Sequence, residues 1–352
     1  MKNILFILAS LTFLMSQYDW ENNGVPVRQG VHIEWQRTGD SGNTDEMIYA
    51  WSDTRSGGRD IYVQKINSNG DLLWGSEGTP IVIADGRQED PILVKDGNGG
   101  AYIIWVDYRD EPDNGDIYGQ HIDSNGQISW GLSGIPLTNV PGKQVSPNMC
   151  YDGQGGAFVI WNDLSVSTLG HVYGTHLTMN SNDIVAQGTG VPLISNDSQH
   201  SGVSIETAAP GSAVMVWADD RNIDSTDIDV YTQRIDVNCN TLWSTPEEGG
   251  IPLCQEQGTQ EYAKVTYYSD EYSVVAWEDR RDNAFVSDIY VQYIDMDGNL
   301  QLAAGGDPST PTLSFLGNDL NGLSGKIGAL SLRGKIGLLY QVTVPEGTNS
   351  AL

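Results

Sequence analysis

The chain is poor in positive charge, with 18 lysines and arginines against 46 aspartates and glutamates in 352 residues. Binding to phosphate groups needs clustered lysine and arginine, so a formal net charge of −28 excludes nucleic acid as a partner and argues against docking on anionic lipid. Long apolar runs are also lacking, and no stretch has the length of a transmembrane helix. A disordered acidic tail is excluded too, because hydrophobic residues make up 39% of the chain.

Cysteine and histidine are scarce. The three cysteines, Cys150, Cys239 and Cys254, form no CxxC motif, and the last two lie at opposite ends of one predicted strand. We expect all three to be free thiols. The five histidines fall at no metal-ligand spacing, so we expect no metal site and no cofactor, with Ca²⁺ as an open alternative.

The N-terminus has the pattern of a secretory signal peptide. One positive charge at Lys2 precedes an apolar run from Ile4 to Met15, and small and polar residues follow at Ser16 and Gln17. The sequence predicts a signal peptide over residues 1–16 and a single domain over residues 17–352. We therefore expect a secreted or cell-surface protein, extracellular or periplasmic, that is monomeric and does not insert into a membrane after cleavage.

What the chain has in abundance is glycine, at 41 residues, together with ten tryptophans and sixteen tyrosines. This composition is typical of short strands joined by tight turns. Five tryptophans recur every 54 to 60 residues: Trp51, Trp105, Trp161, Trp217 and Trp277. Four of the periods carry an Asp-Ile-Tyr-x-Gln strand or a variant of it. A turn such as Asn-Gly and a Gly-x-Pro segment follow, and together these features predict four strands per unit.

Repeated units of four short strands predict an all-β fold, a β-propeller, because a single small sheet cannot bury both of its faces. The repeats span about 20–73, 74–129, 130–185, 186–242 and 243–301, with a partial repeat over 302–352. We expect six blades, the last one closed by the N-terminal strand around Trp20 to Pro26. Lys326 to Leu332 and Ile336 to Thr343 are its predicted strands. An open solenoid is the alternative fold, and seven or more blades are expected if the native chain continues past Leu352.

Three finer expectations follow from the alignment of the repeats. A glutamine opens each unit, at Gln29, Gln88, Gln144, Gln199 and Gln260. Blade 1 carries five additional residues before Trp51, interpreted as a loop insertion with Asp40, Asp45 and Glu46. His121 and His176 share a repeat position with lysine, arginine and tyrosine, which indicates a solvated strand face.

The combined frame resembles repeat propellers of secreted bacterial proteins, of the kind often carried by proteins exported through type IX secretion. Its Asp-Ile-Tyr strand is similar to TolB-type, WD40-like repeats, and its Gly-x-x-x-Trp step is similar to the tryptophan-docking repeat of quinoprotein propellers. The resemblance implies export and a propeller fold, and it implies no particular activity.

The candidate site residues belong to a recurrent Asp-x-Arg loop that follows the marker tryptophan in four of the five units. They are Asp53, Arg55, Asp107, Arg109, Asp219, Arg221, Asp279 and Arg280. One interpretation is a ring of alternating charges that binds a polar ligand such as a glycan or Ca²⁺. The favoured interpretation is that each aspartate accepts bonds from its own arginine and from loop amides. Blade 3 lacks this motif.

Two functions from different classes follow. The first hypothesis is a non-catalytic binding or structural module that recognises an extracellular glycan or protein through one propeller face. The alternative is a polysaccharide-acting hydrolase or lyase that uses paired carboxylates on the same face.

Overall fold

Five successive stretches of the chain each fold into a four-stranded antiparallel sheet, here called blades 1 to 5. The computed structural model describes residues 25–28, 34–41, 45–165, 169–282, 284–285, 287–301, 324–332 and 335–343. The strands of blade 1 are β1 Glu34–Ser41, β2 Glu46–Asp53, β3 Asp60–Asn67 and β4 Thr79–Val82. Those of blade 2 are β5 Gln88–Lys95, β6 Ala101–Asp107, β7 Asp116–Ile122 and β8 Ile135–Pro136.

The remaining blades repeat this order, with one short 3₁₀ helix at Ser181–Asp183 in blade 3. Blade 3 has β9 Gln144–Tyr151, β10 Ala157–Asp163, β11 His171–Leu177 and β12 Val191–Ile194. Blade 4 has β13 His200–Thr207, β14 Ser212–Asp219, β15 Asp229–Asp236 and β16 Ile251–Cys254. Blade 5 has β17 Gln260–Ser269, β18 Tyr272–Asp279, β19 Asp288–Asp295 and β20 Leu300–Gln301. A final hairpin pairs β21 Ser324–Leu332 with β22 Lys335–Thr343.

The hydrophobic core lies between neighbouring blades. One cluster joins Ile48 and Ile61 of blade 1 to Leu93, Ile103 and Trp105 of blade 2, and similar clusters follow between later pairs of blades. Both faces of the middle strands are therefore covered, and every residue of β6 is buried. Burial between stacked sheets is the arrangement that the repeat predicts, and the all-β propeller fold is confirmed.

The first strands of the blades surround a central channel. Neighbouring first strands lie side by side, β1 with β5, β5 with β9, β9 with β13 and β13 with β17. The channel has a volume of about 900 Å³, and all five first strands contribute to its wall. Loops at its two ends can therefore bring side chains from different blades together.

The N-terminal segment occupies the place of a fourth strand from a preceding blade. Val25 lies against the turn glycine Gly70, as Ile251 of blade 4 lies against Gly298 of blade 5. Three residues further on, Arg28 Nε lies 3.9 Å from Asp53 Oδ2, as Cys254 Sγ of blade 4 lies 3.9 Å from Asp279 Oδ2 of blade 5. This placement agrees with an N-terminal strand that completes another blade.

The C-terminal hairpin coincides closely with the two strands predicted for a last blade, and β22 lies beside β17. The described residues thus include five complete blades and this hairpin. The total number of blades remains a prediction, and the signal peptide lies outside the described residues. No helix in the described part of the chain is both long and apolar enough to cross a bilayer.

Strand pairing corrects the predicted start of two units. Glu34 pairs with Asp53, and His200 pairs with Asp219, as Gln88 pairs with Asp107. The equivalent residues are therefore Glu34 and His200 rather than Gln29 and Gln199.

The same register relocates the five additional residues of blade 1. They precede β1, whereas Asp40 and Glu46, expected in a loop insertion, lie in β1 and β2. Buried free thiols at Cys150, Cys239 and Cys254 agree with the prediction.

Candidate functional site

The Asp-x-Arg loop forms a closed arrangement of side chains that we call the arginine clasp. In blade 2, Asp107 accepts hydrogen bonds from Trp105 Nε1 at 2.7 Å and from the backbone N of Arg109 at 3.0 Å. The guanidinium of Arg109 donates to both oxygens of Asp107, at 2.9 and 2.5 Å. It also lies 4.2 Å from the ring centroid of Tyr118 and donates to the Ser133 carbonyl at 3.0 Å.

The clasp recurs in blades 1, 4 and 5 with the same partners. Its tryptophan, aspartate, arginine and tyrosine are Trp51, Asp53, Arg55 and Tyr62 in blade 1, Trp217, Asp219, Arg221 and Tyr231 in blade 4, and Trp277, Asp279, Arg281 and Tyr290 in blade 5. Every aspartate is buried. The clasp therefore joins the second strand, the following loop and the third strand of a blade.

Electrostatics within the clasp favour the ionised carboxylate. Burial alone would raise the pKa of Asp219, but hydrogen bonds from Arg221 and Trp217 outweigh it and hold that pKa below its usual range. The pKa values of Asp53 and Asp279 are lowered for the same reasons. These carboxylates are fixed as anions by their own blades.

The structure thus places the predicted site residues in separate clasps, with one correction. Arg281, not Arg280, donates to Asp279, whereas Arg280 Nη2 lies 2.8 Å from Glu261 Oε1. Among the described residues no ion pair joins one clasp to another. The charges are used inside the blades, and a ligand-binding role for them remains a prediction.

The repeat position of His121 and His176 is buried, so the predicted solvated strand face is wrong. His121 Nε2 lies 2.9 Å from Asp96 Oδ2, and His176 Nε2 lies 2.9 Å from Asp152 Oδ2. At the equivalent position of blade 1, Lys65 Nζ donates to the Gly99 carbonyl of blade 2 at 3.0 Å. In these three blades the side chain at this position holds a turn between the first two strands of its own or the next blade, whereas Arg234 of blade 4 donates to the Met296 carbonyl between β19 and β20.

A different set of residues lies at one repeat position near the start of the first strands, at one end of the channel that these strands surround, here called its mouth. Each first strand contains a bulge, where its register with the second strand shifts. In blades 2 to 5 a residue of this bulge has a positive φ: Asp90 at 53°, Ser146 at 54°, Gly202 at 64° and Tyr262 at 57°. A left-handed backbone is unfavourable for residues other than glycine and is often found at functional sites.

The four bulge residues are exposed and chemically unlike one another. A binding site needs unlike groups from different blades, so this position is a better candidate than the repeated clasp. Sequence analysis missed it because the four residue types have nothing in common. Their equal distance from the marker tryptophan, 15 residues in each blade, is the signal that identifies them.

A depression of about 610 Å³ opens at this mouth between blades 2 and 3. Asp90, Tyr108, Lys143 and Ser146 line it, together with Pro91 and neighbouring residues of both first strands. It therefore offers a carboxylate, a phenol ring, an ammonium group and a hydroxyl within one concave surface.

Two further carboxylates stand next to bulge residues. Glu89 forms ion pairs with Arg59 and Arg87, and Glu261 pairs with Arg280. Both side chains are mostly buried and held by arginine from the surrounding loops.

One buried carboxyl group has a raised pKa. Burial, together with the carboxylates of Glu111 and Asp110, raises the pKa of Asp116 to about 6. Asp116 opens the third strand of blade 2, and aspartate recurs there in three other blades. Since Asp116 does not line the depression, we assign it a role in packing rather than in chemistry.

Metal binding finds no support in the geometry of the described ranges, where no three His, Cys, Asp or Glu side chains are grouped so as to hold an ion. Ca²⁺ remains an untested expectation.

No known protein family matches the sequence, and no curated protein is similar to it. Solved structures with a similar fold include an α-L-arabinanase of Penicillium chrysogenum complexed with arabinobiose, with 10% identity, a TM-score of 0.42, and coverage of 73% of this chain and 82% of the arabinanase. The GH43 endo-arabinanase of Bacillus licheniformis has 14% identity and a TM-score of 0.35, and the match covers 76% of this chain and 100% of the endo-arabinanase. A Dyadobacter fermentans protein of unknown function has 11% identity and a TM-score of 0.41, covering 78% and 81%.

These likenesses do not distinguish TolB-type repeats from other propellers, and the propeller fold itself rests on the strand topology and on the burial between blades. They correct the first functional hypothesis, a non-catalytic binding or structural module, because several of the similar structures are glycoside hydrolases. Similarity this distant assigns no activity to the present chain, so the enzymatic alternative has to be argued from its own residues.

Proposed function

We propose that this chain is a secreted enzyme that hydrolyses a polysaccharide at the channel mouth formed by the first-strand bulges. The observation that carries the proposal is the set of unlike residues at this one repeat position, with Asp90, Ser146 and Tyr262 each held at positive φ. Kinship with secreted TolB-type propellers and export by the predicted signal peptide are parts of the same proposal.

The chemistry of the mouth suits a glycan. Sugar rings pack on aromatic faces, and Tyr108 and Tyr262 supply such faces in blades 2 and 5. Sugar hydroxyl groups donate to carboxylates and accept from ammonium groups, which Asp90 and Lys143 provide in one depression. An extracellular glycan is therefore the proposed partner.

Glycosidic hydrolysis commonly uses two carboxyl groups, one as an acid and one as a base or nucleophile. Asp90 is the proposed first carboxylate, because it is exposed and lines the depression. Glu89 and Glu261 are the alternatives for the second, since each stands beside a bulge residue. Ion pairs with arginine hold both carboxylates in place beside the bulges.

The test measures polysaccharide cleavage by the exported protein and by two variants. Neutral and acidic polysaccharides are incubated with wild type, Asp90→Asn and the control Asp113→Asn, which changes an exposed loop residue of blade 2. We expect wild type and Asp113→Asn to release reducing ends equally, and Asp90→Asn to lose at least 100-fold of that rate. Products with an ultraviolet-absorbing double bond would indicate a lyase instead.

Two results would overturn the proposal. One is the absence of any new chain ends from every polysaccharide with wild-type protein that is shown to be folded. The other is an Asp90→Asn variant as active as wild type.

A further inference from the structure

Blade 3 has the backbone of an arginine clasp without its arginine. In the other four blades the arginine is the fourth residue after the marker tryptophan, and in blade 3 that position is Ser165. Ser165 N donates to Asp163 Oδ1 at 2.8 Å, as Arg109 N donates to Asp107 Oδ1 at 3.0 Å. The turn is therefore the same, and only the cationic side chain is missing.

The groups that hold the guanidinium in other blades are still present. Tyr173 stacks on Trp161 with ring centroids 6.5 Å apart and an interplanar angle of 20°, close to the 6.2 Å and 29° of Trp105 and Tyr118. Gly190 packs on Trp161 as Gly134 packs on Trp105, so the carbonyl of the residue before Gly190 takes the place of the Ser133 carbonyl.

These groups lack the bonds they make elsewhere. Trp161 is 1% exposed, and its Nε1 has no hydrogen-bond partner, whereas the equivalent nitrogen donates to aspartate in all four clasps. Within the described ranges, the Ser165 amide is the one donor to the buried Asp163 carboxylate. Burial and the nearby Asp163 charge raise the pKa of Tyr173, with no cation to oppose them.

A bound group with a planar positive charge would supply hydrogen bonds that these buried polar groups lack. A buried polar group without a partner costs about 1–3 kcal/mol, and more for a charged group. The four clasps show which group fits, since the guanidinium carbon lies 3.7 to 4.2 Å from the tyrosine centroid in each of them. Ser165 is exposed, so the backbone position from which the missing side chain would extend lies at the surface.

We propose that blade 3 binds a guanidinium group from outside the chain, between Asp163 and Tyr173, in the place that arginine fills in the other blades. The guanidinium belongs either to a free arginine-like molecule or to an arginine side chain of a polypeptide. This site is separate from the channel mouth and does not depend on the proposed hydrolase activity.

The test measures binding by isothermal titration calorimetry with methylguanidinium, free L-arginine and a short peptide containing one arginine. Methylammonium is the control ligand, because it carries charge without the planar fork. We expect saturable binding of methylguanidinium to wild type, at least tenfold weaker binding to Asp163→Asn, and none to Ser165→Arg, which supplies the guanidinium from within. Preference for L-arginine or for the peptide identifies the source.

Thermal unfolding keeps the test decisive if one variant folds poorly. Ser165→Arg is expected to raise the melting temperature by a few degrees and to become insensitive to millimolar methylguanidinium, while wild type is stabilised by it. Absence of saturable binding by wild type to all three guanidinium ligands would overturn the proposal. Equal binding by wild type and Ser165→Arg would overturn it as well.

Discussion

Blades 2 and 3 are adjacent and have the same order of four strands, but the loop after the second strand carries an arginine only in blade 2. Asp107 and Asp163 both accept the amide two residues further on, so the aspartate alone sets the backbone turn. Arg109 then adds bonds to the carboxylate, the tyrosine face and a carbonyl of the next loop. The comparison separates what shapes the loop from what fastens it to the rest of the blade.

The largest expected effect is on the clasp aspartate. Asp107→Ala leaves the Trp105 indole and the half-buried Arg109 without their shared acceptor, so we expect a loss of about 3 kcal/mol in the free energy of unfolding. Asp163→Ala loses only a loop bond and should cost about 1 kcal/mol. Urea unfolding of both variants measures the difference, and equal losses would show that the arginine adds nothing.

On the opposite side of the blades the two regions are alike, which provides a control. His121→Gln and His176→Gln each leave a buried aspartate, Asp96 or Asp152, without its ring partner. Both variants should lose about 2 kcal/mol by the same measurement. A loss confined to blade 2 would mean that blade 2 is simply the more stable unit, and the clasp would not explain the first result.

Blade 2 also carries a carboxyl group with a raised pKa, Asp116, and blade 3 has His171 at the same position. The raised pKa of Asp116, about 6, means that the folded state retains this proton to higher pH than the unfolded state does. Its contribution to stability is therefore complete below about pH 4 and is lost as the pH rises through 6.

Asp116→Asn should remove that loss. We expect the variant to match wild type below pH 4 and to exceed it by about 1 kcal/mol at pH 8, measured by urea unfolding across this range. A variant that is less stable than wild type at pH 8 would contradict the assignment.

The smallest expected effect isolates the indole N–H. Trp105→Phe and Trp161→Phe lose similar ring area, but only Trp105 donates a hydrogen bond. Trp105→Phe should therefore be more destabilising by about 1 kcal/mol. Equal values would indicate that Trp161 Nε1 has a partner in solution.

The fold was largely predictable because turn chemistry and apolar runs repeat in register. Errors arose where repeats were aligned by matching residue types instead of by their distance from the marker tryptophan. Glu34 and His200 stand 17 residues before their tryptophans, as Gln88 does, but their different side chains concealed this equivalence. The same reasoning chose Arg280 over Arg281, although only the latter is four residues past its tryptophan.

The candidate site was harder to predict, because its members share a backbone conformation and no chemistry. The residue types of Asp90 and Tyr262 do not predict a positive φ. That backbone conformation depends on how the strand pairs with its neighbour. The burial of His121 was missed for a related reason, since its aspartate partner lies 25 residues away in sequence.

The bulges at the channel mouth also bear on how such a protein can change over generations. A bulge residue is left out of the ladder that holds its strand, and its exposed side chain packs into no core cluster. Side chains as different as those of Asp90, Ser146 and Tyr262 therefore occupy this position within one fold. A propeller built in this way can acquire a new specificity one blade at a time while the stacked sheets stay as they are.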